Sequence, residues 1–133
     1  MKSITVNAST RYDVHIGYNL TDHLATYLRA ESNEQKAIII SDSNVWPIYG
    51  SYLSGKLTDC GFNVYHYIFP AGEQSKSLNT YIDIIHHLAT NQVTRTDYLI
   101  ALGGGVVGDL TGFVAATYLR GINYVQIPTS ILT

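Results

Sequence analysis

Tyr98 to Pro128 reads YLIALGGGVVGDLTGFVAATYLRGINYVQIP, and this stretch decides the fold. Tyr98 to Leu102 is a short, continuous apolar run, the pattern of a strand covered on both faces. Gly103 to Gly108 is a glycine-rich turn. Leu110 to Leu119 predicts a helix so apolar that it should be interior, and Tyr124 to Ile127 predicts another strand, closed by Pro128. Strand, tight turn, helix and strand in that order is the repeating unit of a parallel sheet.

The same alternation extends upstream. Lys36 to Ser41 (KAIIIS) is a second run of buried-strand type, broken by Asp42-Ser43-Asn44. Val45 to Cys60 predicts a helix with Pro47 in its first turn, where a missing amide hydrogen costs nothing. Phe62 to Phe69 predicts a strand ended by Pro70 and Gly72. Ser77 to Asn91 carries Leu78, Tyr81, Ile82, Ile85, Leu88 and Ala89 at helical spacing, opened by Ser75 or Ser77. At the start, Ser3 to Ala8 and Tyr12 to Ile16 predict an antiparallel hairpin, and Asn19 to Arg29 a helix. The expected fold is therefore α/β, one domain over residues 1–133. It has a mostly parallel sheet, helices on both faces and an amino-terminal β-hairpin. Ligands of such sheets sit at the carboxyl ends of the strands. Four polar loops fall there: Asp42 to Asn44, Ala71 to Lys76, Gly103 to Asp109, and Pro128 to Ser130.

Composition narrows the partners. The chain is 46% hydrophobic and 14% charged, with a net charge of −2 and no basic tract. Nucleic-acid binding needs clustered Lys and Arg, so no such partner is expected. Between Tyr98 and Thr133 the only charged side chains are Asp109 and Arg120, so this segment should be buried by its own domain or by a partner. One cysteine, Cys60, cannot form an internal disulfide. With no apolar signal core and no membrane-length run, a cytoplasmic protein is expected.

Gly103 to Gly108 matches G-x-G-x-x-G directly after a strand and at the start of a helix. Glycines let the chain turn tightly and let a pyrophosphate approach the backbone, while the helix start offers free amide hydrogens and a positive dipole end. A tight strand-to-helix turn with close packing would use the same glycines. The usual dinucleotide pattern also wants an acid about 20 residues on. None follows Asp109, which leaves Asp42 and Glu73 at neighbouring strand ends for a ribose.

The run GGGVVGDLTGFVAATYLRGI (Gly103 to Ile122), followed by QIPTS (Gln126 to Ser130), resembles the 3-dehydroquinate synthase family. AGEQSK (Ala71 to Lys76) and SDSN (Ser41 to Asn44) match that family in the expected order. The resemblance implies a Rossmann-like NAD-binding domain. It also implies an activity converting 3-deoxy-D-arabino-heptulosonate 7-phosphate into 3-dehydroquinate and phosphate, with NAD and a divalent metal, zinc or cobalt. On the matching positions, Asp42 and Asn44 would contact the adenosine end. Glu73 and Lys76 would hold ribose and nearby groups, and Gly104, Gly105 and Val106 would face the pyrophosphate. Asp109 would sit near the nicotinamide ribose, Thr129 and Ser130 would complete the cofactor site, and Arg120 would bind substrate. Metal ligands, catalytic groups and a carboxyl-terminal domain would lie beyond this chain, leaving it inactive alone. A homo-oligomer is expected.

Each residue has a plainer reading. Asp42 and Asn44 could cap the following helix, Glu73 and Lys76 could be a solvated turn pair, and Asp109 could act locally. Arg120, at the end of an apolar helix, is expected to be buried against an anion. His86 and His87 are adjacent on a helix, point to different faces and cannot share an ion. A glycerol-type dehydrogenase domain and a non-catalytic nucleotide-binding module remain alternatives.

Overall fold

The computed structural model describes residues 2–7, 11–16, 24 and 28–129. Six strands form one sheet: β1 (Lys2–Asn7), β2 (Arg11–Ile16), β3 (Lys36–Asp42), β4 (Asn63–Phe69), β5 (Tyr98–Gly103) and β6 (Asn123–Pro128). Three helices alternate with the last four strands: α1 (Trp46–Asp59), α2 (Leu78–Thr90) and α3 (Gly105–Thr117). Most of the expected helix over Asn19 to Arg29 lies outside the described residues. Leu24 and Leu28 within it are buried, and the Leu28 amide donates to the Leu24 carbonyl at 2.7 Å.

The sheet order is β2-β1-β6-β5-β3-β4. β3 pairs in parallel with β4 and β5, and β5 with β6. β1 runs antiparallel to both β2 and β6. The apolar runs behave as their composition demands. In β3, Ala37 and Ile39 join the core under α1, while Ile38 and Ile40 join the core under α2 and α3. Period-two alternation sends successive side chains to opposite faces. Two-sided burial therefore needs an unbroken apolar run, and KAIIIS supplies it.

The chain steps from β3 to β4 in one direction, then crosses back over β3 to reach β5 and continues to β6. Right-handed crossovers in opposite directions place helices on opposite faces. α1 accordingly sits on one face, with Leu53 and Leu57 inward. α2 and α3 share the other, with Ile84, Leu88, Val107, Leu110 and Val114 inward. The Ser77 side chain caps α2, accepting from the Thr80 amide at 3.2 Å.

α3 departs from its sequence reading at both ends. It begins at Gly105, because the glycine run itself forms the first helical turn. It ends at Thr117, because Leu119 (φ 51°) and Arg120 (φ 65°) adopt left-handed backbone ahead of Gly121. It is not wholly interior either, since Phe113 is exposed.

Candidate nucleotide site at the carboxyl edge of the sheet

The strand order reverses between β3 and β5, so the loops leaving these neighbours depart to opposite faces and open a crevice, as in other open parallel sheets. Ser41 closes its floor. As the two strands part, the buried Ser41 hydroxyl donates to the Leu102 carbonyl at 2.7 Å.

On the β3 side, the Asp42 Oδ1 accepts from the amides of Asn44 and Val45, each at 2.9 Å. Capping of the α1 approach is thus a real task of Asp42. Asn44 stays exposed beside it. Ser43 ties this loop to the next one. Its amide donates to the Phe69 carbonyl and its hydroxyl accepts from the Ala71 amide, both at 2.9 Å. Beyond β4, Glu73–Ser75 forms a single 3-10 turn, held by the Ser75 hydroxyl on the Pro70 carbonyl and by the Lys76 amide on the Glu73 carbonyl at 2.9 Å. Gly72 enters the turn at φ 119°, a conformation that suits glycine.

On the β5 side the three consecutive glycines have different reasons to be there. A Cβ on Gly103 would lie 2.7 Å from Val107 Cγ2, so close packing excludes a side chain. At Gly108 a Cβ would meet only the end of the Gln126 side chain, Nε2 at 2.5 Å, so a small residue there asks Gln126 to move aside. These two fit the plain tight-turn reading. Gly104 and Gly105 do not, since a Cβ on either would meet nothing within 4 Å, and both are exposed. Neither has a positive φ that would call for glycine. No side chain caps α3, and its first helical bond is Gly108 to Gly104 at 3.0 Å. The amides of Gly105, Val106 and Val107 therefore precede the helical ladder and aim at the crevice mouth with the positive end of the helix dipole.

Lys76 and Asp109, 33 residues apart in sequence, meet at 3.0 Å. Both are solvent-exposed, with side chains 50% and 63% accessible. The hydrogen bond to Asp109, reinforced by its charge, holds the Lys76 ammonium above its ordinary pKa. A cleft of about 320 Å³ opens beside the pair, with Leu78, Tyr81, Leu110 and Phe113 on its apolar walls. Thr129 follows β6 at the same edge and is half-buried. Ser130 lies outside the described residues.

Arg120 is placed differently from its sequence reading. It is exposed rather than buried. It follows the far end of α3, and a 13-residue helix separates it from Gly104 by about 20 Å at 1.5 Å per residue. It therefore does not join the loops at the carboxyl edge. His86 is exposed, and His87 is half-buried with its Nε2 unpaired. Among the described residues no three His, Cys, Asp or Glu side chains converge in a way that could hold a metal. Ser41 and Ser43, which stitch the crevice together, lie within the SDSN match, but nothing in the sequence gives them this task.

Fold and site together define a doubly wound α/β domain with a glycine-rich loop at its switch point, the class of domain that holds nucleotides. Residues 66–133 match the family profile described as 3-dehydroquinate synthase N-terminal. A 3-dehydroquinate synthase of Enterococcus faecalis is 45% identical over 130 residues, covering 97% of this chain and 36% of the relative. Another, from Latilactobacillus sakei, is 42% identical over 133 residues, covering 99% of this chain and 38% of the relative. The chain belongs to the 3-dehydroquinate synthase family and spans about a third of the length of these curated relatives. Among solved structures, 2-deoxy-scyllo-inosose synthase shares the fold at a TM-score of 0.83 and 23% identity, over 96% of this chain and 36% of the other. A 2-epi-5-epi-valiolone synthase from Streptomyces hygroscopicus subsp. jinggangensis 5008, solved with NAD+ and Zn2+ bound, superposes at a TM-score of 0.73 and 28% identity. That match covers 89% of this chain and 32% of the other.

Proposed function

We propose that this chain is the NAD-binding part of a 3-dehydroquinate synthase, a cytoplasmic enzyme that turns 3-deoxy-D-arabino-heptulosonate 7-phosphate into 3-dehydroquinate and phosphate. The observation that carries this reading is the pair Gly104 and Gly105, where a side chain would meet no protein atom. Glycine at Gly105 costs up to about 0.5–1 kcal/mol of helix stability relative to alanine, whereas Gly104 is the N-cap, where glycine is itself favoured over alanine. A pyrophosphate laid against the backbone is the occupant such a pair admits. The amides of Gly105 and Val106 would meet it. Asp42 and Asn44 would face the adenosine end, Glu73 and Lys76 a ribose, Asp109 the nicotinamide ribose, and Thr129 and Ser130 the remaining edge.

NAD, when bound, supplies reversible hydride acceptance at a substrate carbon. The chain's own residues bind and orient it. A divalent metal, zinc or cobalt, would find no ligand set among the described residues, so its ligands and the other substrate-binding groups are assigned to a further domain. Arg120, exposed and remote from the crevice, is assigned to an anionic group of the substrate.

Titration calorimetry with NAD tests the reading. Measurable binding by this chain should fall at least tenfold in Gly105→Val, with the folded state intact because Gly105 is exposed and a Cβ there meets no atom within 4 Å. Equal affinity in both proteins would overturn the loop as the pyrophosphate site.

A further inference from the structure

We propose that Arg95 is a positioning residue for Arg120. From the turn before β5 it holds the left-handed segment that presents the Arg120 guanidinium. This rests on the reading of Arg120 as a group that binds an anion of the substrate.

The end of α3 needs a reason. Leu119 (φ 51°), Arg120 (φ 65°) and Gly121 (φ 118°) are three consecutive residues of positive φ. Glycine or asparagine ordinarily closes a helix in this way, because a larger side chain crowds the following carbonyl. Leucine and arginine stand in two of the three places. Leu119 is 48% exposed and Arg120 is exposed too, so burial offsets little of the strain. Residues other than glycine keep such a conformation only where their surroundings impose it, and they gather at functional sites.

The surroundings that impose it come from one segment. The Tyr118 hydroxyl donates to the Val93 carbonyl at 2.9 Å, Arg95 Nε donates to the Gly121 carbonyl at 3.4 Å, and Asn123 Nδ2 donates to the Thr96 carbonyl at 3.4 Å. These ties grip the chain on both sides of Arg120. The gripping segment is itself fixed. The Asp97 amide closes a turn on the Thr94 carbonyl at 3.1 Å, and the buried Asp97 carboxylate accepts from the Thr94 amide at 2.8 Å. Arg95 lies inside that turn.

Of the three ties, the one from Arg95 reaches the strained segment itself. The peptide unit joining Gly121 to Ile122 is held at both ends. Its amide, that of Ile122, donates to the Ala115 carbonyl at 2.9 Å, and its carbonyl takes Arg95 Nε. Among the described residues neither Arg95 nor Arg120 forms an ion pair. The charge of Arg120 is therefore uncommitted, and the fixed backbone places its stem before a ligand arrives. Pre-placement of this kind lowers the ordering cost of binding.

Two measurements test the proposal. In this chain, hydrogen exchange followed by NMR should be faster by roughly fivefold or more at the Ile122 amide in Arg95→Gln. The Gly108 amide, at the other end of α3, should be unchanged. Arg95→Lys, which keeps a donor, should restore part of the protection. In the complete synthase carrying this domain, assayed with NAD and zinc, Arg120→Gln should raise KM for the phosphorylated substrate. Arg95→Gln should raise it severalfold at unchanged kcat. The double variant should be no worse than Arg120→Gln alone, because Arg95 acts only through Arg120. Unchanged exchange at Ile122, additive effects in the double variant, or a KM moved by Arg120→Gln but not by Arg95→Gln would overturn the proposal. A KM unmoved by Arg120→Gln would instead overturn the reading of Arg120 itself, and the exchange rates alone would then decide whether Arg95 holds the turn.

Discussion

The two ends of the sheet each hold a cavity of nearly the same size, about 320 Å³ at the carboxyl edge and 310 Å³ at the amino edge. Each contains one aspartate close to one lysine. At the amino edge Asp97 is only 2% exposed. It accepts from the Lys36 and Thr94 amides at 2.8 Å each, and Lys36 Nζ stands 4.0 Å away. Gln35 closes the same corner, its Nε2 on the Thr96 carbonyl and its Oε1 taking the Glu31 amide at 2.7 Å. At the carboxyl edge Asp109 is 63% accessible and holds only Lys76. The difference lies in what remains uncommitted. At Asp97 the polar atoms are spent on fastening β3 to the loop before β5. At Lys76, Asp109 and the amides that open α3, donors and charge are left for something else.

That contrast should break most visibly at Asp97. Asp97→Ala leaves the part-buried amides of Lys36 and Thr94 without their acceptor, and a loss of about 2 kcal/mol is expected in urea unfolding. Below the denaturation range, NAD affinity should stay within about twofold. A stable Asp97→Ala protein would mean that the amino-edge cavity is not a fastening. Asp109→Ala should do the reverse, lowering NAD affinity severalfold in calorimetry while leaving the thermal midpoint unchanged, as for other exposed pairs. A drop in midpoint without a change in affinity would make the pair structural.

Gly105→Ala sharpens the contrast within one residue. Its methyl meets no protein atom and favours the helix, so stability should rise by about 0.5 kcal/mol while NAD binding weakens. A gain in both would remove the ligand from the explanation of that glycine. The smallest effect concerns pH. Burial, and then the nearby His66, holds the His87 imidazole below its ordinary value of 6.5. The folded chain thus binds fewer protons than the unfolded one as pH falls through that range, so stability present above about pH 6.5 should decline beneath it. His87→Gln should flatten part of that slope in urea titrations run between pH 7 and pH 5. An unchanged slope would place the pH response elsewhere.

Much of the frame was legible because single physical rules act on contiguous residues. KAIIIS and YLIAL have to be strands buried on two faces, and a serine cap before Leu78 is legible, though only the structure chooses Ser77 over Ser75. The glycine loop was legible as a turn. Only the structure separates Gly103, which packing requires, from Gly104 and Gly105, which it does not. Contacts between distant segments left no such trace. Nothing periodic links Lys76 to Asp109 or Ser41 to Leu102, and Asp97 gives no sign in sequence that it is a buried acceptor. The exposure of Arg120 was not legible, for a local reason. Its apolar neighbours suggested burial, but Leu119 and Arg120 turn left-handed and leave the helix, a conformation few residues without Gly, Asn or Asp chemistry announce.

β1 lies between β2 and β6, with Thr5 facing Gln126. On the ribosome, the first strand of the chain must wait until nearly all of these residues have emerged before it finds its inner neighbour. β3, β4 and β5 can assemble from segments close in sequence, whereas closure of the sheet requires a loop that spans almost the whole chain and is entropically slow. Synthesis halted anywhere before Asn123 would leave β1 without β6, and its unpaired edge would be open to chaperones or to other nascent chains.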